Sequence, residues 1–242
     1  MLKRLYDKSR IWFAVGWIVL YCVLMSVGDV LSDTVGAMKV FTLVVGLLLS
    51  AILLIFLVRH GLTGEYGLCR PSASAGRMLY YLPLLVMLTA NAWYGFRINY
   101  GVTESILYIL SMLCVGFLEE VIFRGLLFEA LRKESFKAAV IVSSVTFGVG
   151  HIINLFNGSG AELIPNLLQV VYATAAGFMF VMMYCKSKSL IACIISHGVF
   201  NATSVFANDL AATLEMRILT AILLTLICAS YATYLALTLK RE

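Results

Sequence analysis

The sequence predicts an all-α, polytopic integral membrane protein with about eight transmembrane helices and both termini in the cytoplasm. Three observations lead there. Of its 242 residues 62% are hydrophobic and 13% charged, and mean hydropathy is +0.96, whereas soluble domains run at about 45–50% apolar and about 25% charged. Apolar windows recur at 11–30, 40–58, 78–94, 105–131, 138–155, 164–184, 190–207 and 218–237, each near the ~20 residues that a helix needs to cross about 30 Å of hydrocarbon. Basic residues then alternate between connections.

Lys3, Arg4, Lys8 and Arg10 start the chain; Arg59, Arg70 and Arg77 fill the second connection; Arg132, Lys133 and Lys137 the fourth. Lys186 and Lys188 fill the sixth, and Lys240 and Arg241 the end. The other connections hold Lys39, Arg97 and Arg217 beside Asp29, Asp33, Glu104, Glu162, Asp209 and Glu215. By the positive-inside rule both termini are cytoplasmic and the span count is even. The net charge of +5 follows this pattern, so it does not suggest a nucleic-acid partner; the lipid bilayer is the implied surroundings.

The first span reads as a retained signal-anchor, because no small-residue cleavage site with a polar mature start follows it. The longest connection, 59–77, carries Gly61, Gly64, Gly67, Pro71 and a Ser-Ala-Ser-Ala run. It divides the chain into a two-span N-terminal region with its cytoplasmic loop (1–77) and a six-span region (78–242). No internal repeat stands out. The six cysteines form no CxxC pair and read as small apolar fillers. Asn157-Gly158-Ser159 is a glycosylation sequon on the outer side, while Asn201-Ala202-Thr203 falls inside a span.

The fourth window contains Glu119, Glu120 and Arg124. On insertion scales each charge at mid-membrane costs roughly 2.5–3.5 kcal/mol, so such groups must pair, face a protein interior or do chemistry. At about 100° per residue, Glu120 and Arg124 share a face, acid before base. Glu119 then points about 100° away, outside that pairing, with Gly116 leaving room beside it. Arg124 is therefore expected to hold Glu120 and leave Glu119 to act on something else. The alternative is a purely structural ion pair between helices, which needs only one acid.

Two histidines also lie inside spans. Phe147 and His151 are spaced i, i+4, as are His197 and Asn201, so each pair shares a helix face. At 1.5 Å per residue Glu119 lies roughly 20 Å from Arg132, His151 roughly 20 Å from Lys137 and His197 roughly 13 Å from Lys188. The polar groups thus reach similar depths. A carboxylate with an imidazole can activate water, while a second imidazole and a carboxamide donate to an oxyanion. Acids and histidines could also hold zinc, but the sequence has neither a His-Glu-x-x-His stretch nor a Cys pair. The expectation is a site without metal or other cofactor.

Glu119-Glu120-x-x-x-Arg124, then Phe147-x-x-x-His151, then His197-x-x-x-Asn201, in order on separate spans, resembles the CPBP (Abi) family. That family comprises the type II CAAX prenyl endopeptidases and bacterial bacteriocin-processing and immunity proteins. The resemblance covers residues 104–207. It implies an eight-helix, glutamate-dependent intramembrane endopeptidase with its site open toward the cytoplasm, acting on a membrane-associated peptide or protein. Glu119 would be the water-activating base with His151 assisting, Glu120 and Arg124 its support, His197 and Asn201 the oxyanion hole, and Phe147 a packing partner of His151. Short loops favour a bacterial plasma membrane. The alternatives are a non-catalytic immunity or binding protein of the same family, a zinc metalloprotease and a proton-coupled transporter; acids clustered on one helix speak against the last.

Loop charge makes a direct prediction. A Ser159→Cys variant should react with an impermeant maleimide added outside intact cells, while Cys69 stays protected; the reverse pattern would invert the topology.

Overall fold

The chain folds so that its apolar windows become helices and its basic connections gather at one end. The computed structural model describes residues 2–72, 81–157 and 160–238, and among these every regular element is helical. Arg77, Gly158, Ser159, Lys240 and Arg241, and the boundary between the two expected regions, lie outside the described residues.

Helix α1 (Leu2–Lys8) leads into α2 (Arg10–Thr34), whose N-cap Ser9 accepts from the Trp12 amide at 3.2 Å. A turn at positive φ, through Gly36 and Lys39, returns the chain into α3 (Val40–Arg59). Asp29 holds both Lys39 Nζ (2.7 Å) and Thr42 Oγ1 (2.6 Å), tying the hairpin end together. After the second connection come α4 (Tyr81–Leu88), a 3-10 turn (Ala90–Ala92) and α5 (Val102–Glu119). Helix α5 widens into a π-helix over Glu120–Leu127 and closes as α6 (Phe128–Arg132). Helix α7 (Phe136–Gly150) runs into a 3-10 turn (His151–Leu155), followed by α8 (Leu163–Ser187), α9 (Ile191–Thr203) and α10 (Leu214–Thr238).

Among the described residues six helices are long and apolar enough to cross a membrane, with 82–92 and 191–206 as shorter apolar helices. The seventh window is thus a real but shorter helix, and the third is helical over the part of it that is described. Helix α4 stops at Leu88 and continues only as a 3-10 turn. Helix α9 is cut off by a 3-10 turn at Ser204–Phe206.

Lipid-facing rows such as Val19, Val23, Val27 and Val30 on α2, or Leu219, Ile222 and Leu226 on α10, stay exposed. That is what hydrocarbon solvent permits. Inside, α2 packs on α3 and on the π segment, α3 on α5, α5 on α9, and α8 on α7 and α10. One buried cluster joins α1, α2 and α3 to the π segment; a second is built on α8, α9 and α10.

Ionic contacts show which connections share an end. Glu65 in the second connection pairs with Arg10 and lies 3.8 Å from Lys133 in the fourth. Lys186 reaches Thr238 Oγ1 at 2.7 Å. At the other end Asn99 donates to the Val205 and Ala207 carbonyls, and Phe96 forms an isolated β-bridge with Ala207. Basic and non-basic connections occupy opposite ends, as the alternating charge requires.

Gly116 does something other than open space beside Glu119. A Cβ there would lie 2.6 Å from Gly198 Cα and N, so α5 and α9 touch backbone to backbone. Gly148 repeats the device, with Thr174 N at 2.8 Å. In a membrane, where apolar burial does not drive helices together, such small-residue contacts hold them.

Gly116→Ala should therefore lower Tm in detergent, by overpacking worth about 1–3 kcal/mol. Gly16→Ala is the control: nothing lies within 4 Å of its Cβ position. Equal melting of the two variants would show that the α5–α9 contact is not critical.

Candidate active site

The widened helix determines how the acids meet the rest of the molecule. Bonding i→i+5 in place of i→i+4 changes the direction of successive side chains, and single π turns often mark functional sites. All eight residues of the π segment are buried. Ser143 Oγ from α7 donates to the Phe123 carbonyl within it at 2.8 Å.

Glu120 and Arg124 are fully buried, with Arg124 Nη1 3.1 Å from Glu120 Oε1. This is the pairing expected from i, i+4 spacing, but the approach lies off the line of a hydrogen bond. The guanidinium lies over the Phe147 ring at 3.9 Å and near Phe180 at 5.5 Å. A planar cation between two aromatic faces is stabilised by their negative faces and by exclusion of water.

His197 joins the two acids. Its Nδ1 is 2.8 Å from Glu120 Oε1 and its Nε2 is 3.4 Å from Glu119 Oε2. Glu119 stays outside the Glu120–Arg124 pair, and the two acids meet through one imidazole. The carboxylates approach opposite nitrogens of one ring, at the junction of α5 and the π segment. Nδ1–H donates to Glu120 Oε1, while Nε2 faces Glu119 Oε2 without a hydrogen bond between them. His197 is therefore committed to the acids and is not a free donor beside Asn201. Its ring stacks on Phe180 at 5.8 Å and meets Phe147 edge-on at 5.6 Å.

The remaining site residues line a cavity. His151 Nδ1 lies 3.1 Å from the Phe147 carbonyl, which sets Nδ1–H as donor and leaves Nε2 an acceptor. Asn166 Nδ2 donates to the His151 carbonyl at 2.9 Å and holds the 3-10 turn in place. The Asn201 carboxamide makes no side-chain hydrogen bond with the described residues. Glu119, Phe147, His151 and Asn201 all border one cavity of about 510 Å³, within the range of sites that take small ligands. All seven predicted residues thus touch one another or share that cavity, with Phe147 at the centre and Arg124 behind it. Among the described residues no three His, Cys, Asp or Glu side chains are arranged to hold a metal ion.

Sequence reasoning missed Tyr21. Its hydroxyl donates to Glu119 Oε1 at 2.7 Å from α2, in the N-terminal region that had shown only hydrophobicity. The available signal was slight: a tyrosine in mid-span, one turn before Met25 and two before Asp29 on the same face. A lone tyrosine in a span gives no indication of its partner.

Fold and site together define a class: a multi-pass helical membrane protein whose buried Glu–His–Glu–Arg chain ends at a large cavity. Residues 101–203, less than half of the chain, match the Rce1-like family, described as type II CAAX prenyl endopeptidase Rce1-like. The chain is 33% identical over 94 residues to "Putative membrane peptidase YdiL" of Bacillus subtilis (strain 168), covering 38% of this chain and 33% of that protein. It is 26% identical over 185 residues to "UPF0719 transmembrane protein" of Aquifex aeolicus (strain VF5), covering 72% of this chain and 65% of that protein. The matches therefore span less than two thirds of either relative. No solved structure matches the chain.

Removing the buried cation has a direct consequence. Arg124→Ala should cost roughly 3–5 kcal/mol of stability by leaving Glu120 unpaired. Arg124→Lys should fall between, because it keeps the charge but loses planar stacking. Thermal melting of the purified variants checks the order; an Arg124→Ala protein as stable as wild type would show that Glu120 does not need the guanidinium.

Proposed function

We propose that the protein is an intramembrane endopeptidase of the glutamic type, hydrolysing a peptide bond in a membrane-associated substrate. The observation that carries this is Glu119: a carboxylate at the inner end of a large cavity, held on one oxygen by Tyr21 and approached on the other by His197. A structural carboxylate would be sealed, as Glu120 is; Glu119 keeps 13% of its side chain accessible.

In this reading a water in the cavity attacks the scissile carbonyl carbon and passes a proton to Glu119. His151 Nε2, free to accept, helps orient that water. The carbonyl oxygen becomes an oxyanion and takes a hydrogen bond from Asn201, whose amide is unengaged. Collapse breaks the C–N bond, and the departing amine takes the proton from Glu119. His197 and Glu120 spread the charge that Glu119 gains and loses, with Arg124 as the fixed counter-ion. The likeness of residues 101–203 to the Rce1-like family supports the same reaction class.

Comparing membrane and released peptides between cells bearing wild type and Glu119→Gln by mass spectrometry identifies a substrate; reconstituted enzyme then gives rates. Glu119→Gln should abolish turnover in a folded protein. Asn201→Ala should lower kcat about 10²–10³-fold with a smaller change in KM, because the bond strengthens as charge develops. Near-normal turnover of purified Glu119→Gln would refute the base assignment. No cleavage by reconstituted wild type would favour the non-catalytic binding role.

Tyr21→Phe removes only a hydroxyl. A hydrogen bond to a charged group contributes about 1.5–3 kcal/mol, so turnover should fall by roughly ten- to a hundredfold. Unchanged kcat would reduce Tyr21 to packing.

A further inference from the structure

A second, smaller cavity of about 40 Å³ lies beside the candidate site. Phe147, His151, Gln169, Tyr172, Phe200 and Asn201 border it and the large cavity alike, so the two adjoin along one rim. Away from that rim the walls are apolar. Helix α8 contributes Ala173, Ala176 and Phe180, α10 contributes Leu224 and Cys228, and α4 contributes Met87. The three α8 residues are spaced i, i+3 and i+7 and share one helix face. Phe180 is the ring that stacks on His197, and the two alanines before it leave the space.

Each of these six wall side chains is no more than 9% exposed. The walls are therefore closed to lipid, and the polar side of the pocket is the rim that carries His151 and Asn201. None of the six offers a strong hydrogen-bonding group. A charged or amide side chain placed among them would lose water and gain no partner, whereas an aliphatic one gains by burial. Size narrows the choice. The volume is roughly three or four times the ~10–15 Å³ that one water takes, which suits a branched chain of three or four carbons and excludes an aromatic ring.

We infer that this pocket receives an aliphatic side chain (valine, leucine or isoleucine) of the bound peptide, at a residue flanking the scissile bond, and that Ala176 sets its size. The position follows from the rim. His151 and Asn201 are the groups assigned to the attacking water and to the carbonyl oxygen, so a side chain next to that carbonyl is the one that reaches the pocket. This inference deepens the peptidase reading and rests on it for the bond that is cut. The binding preference itself needs no hydrolysis.

The test uses purified full-length Glu119→Gln protein in detergent, so that peptide is held without turnover. Five probes, acetyl-Ala-Ala-X-Ala-Ala-amide with X as glycine, valine, leucine, phenylalanine or aspartate, are titrated by thermal shift to give each Kd. The valine and leucine peptides should bind about tenfold tighter or more than the other three, the usual discrimination by an apolar pocket. Adding Ala176→Phe should abolish that preference. Adding Leu224→Ala, which enlarges the pocket, should admit the phenylalanine peptide, a gain that misfolding cannot produce. Equal binding of all five, no binding, or an unchanged preference in both variants would overturn the inference. So would a co-purifying lipid, seen by native mass spectrometry, that Ala176→Phe displaces. The comparison of cellular peptides separates the two failures. Glu119-dependent cuts indifferent to the flanking residues would overturn the pocket assignment alone; leucine-selective binding with no Glu119-dependent product would keep the pocket's selectivity and refute the peptidase reading.

Discussion

Two buried acids and a buried arginine in a membrane helix can persist only if their charges cancel locally, and the rest of the structure depends on how this is done. Glu119, His197, Glu120 and Arg124 form a chain of close contacts in which the imidazole lies between the two carboxylates and the guanidinium lies beside Glu120. In a medium of low dielectric an uncompensated member would cost several kcal/mol. Each partner is therefore held by something rigid. Arg124 is fixed by Phe147 and Phe180, His197 by the same two rings, and Glu119 by Tyr21. Aromatic residues surround the charges because they exclude water and still offer a polarised face to a cation.

The π-helix is the backbone counterpart of this arrangement. A regular helix would send two neighbouring acids in divergent directions. Here both reach one imidazole from the start of the segment widened over Glu120–Leu127, while Arg124 remains within ion-pair distance of Glu120. The irregular backbone is tolerated at membrane depth because the whole segment is enclosed by protein. Close contact of Gly116 with Gly198 then brings α9, and with it His197, near enough to bridge the acids. A side chain at Gly116 would force the two helices apart.

The same enclosure divides the molecule into a sealed half and an open half. Glu120 and Arg124 lie in the sealed half, where they keep a fixed charge. Glu119, His151 and Asn201 border the cavity, where a ligand can meet them. Adjacent glutamates thereby differ in environment: one is fully buried, the other partly accessible.

Much of this was present in the sequence taken alone. Hydropathy and loop charge determined a multi-pass helical membrane protein and the grouping of its connections, because span length and basic-residue asymmetry are set by the bilayer whatever the packing. The i, i+4 spacings of Glu120–Arg124 and Phe147–His151 also predicted real contacts, since both are local to one helix. What needed the tertiary structure was everything that crosses between helices or departs from ideal geometry. The π-helix is invisible to a reading at 100° per residue, so the meeting of both acids at His197 was hidden. Gly116 read as open space, but it is filled by a backbone that sequence cannot place. Tyr21 reaches Glu119 from 98 residues away, and the cavities emerge only when stripes on separate helices are brought together. A membrane fixes how deep each side chain lies, but only packing decides which side chains at that depth face one another.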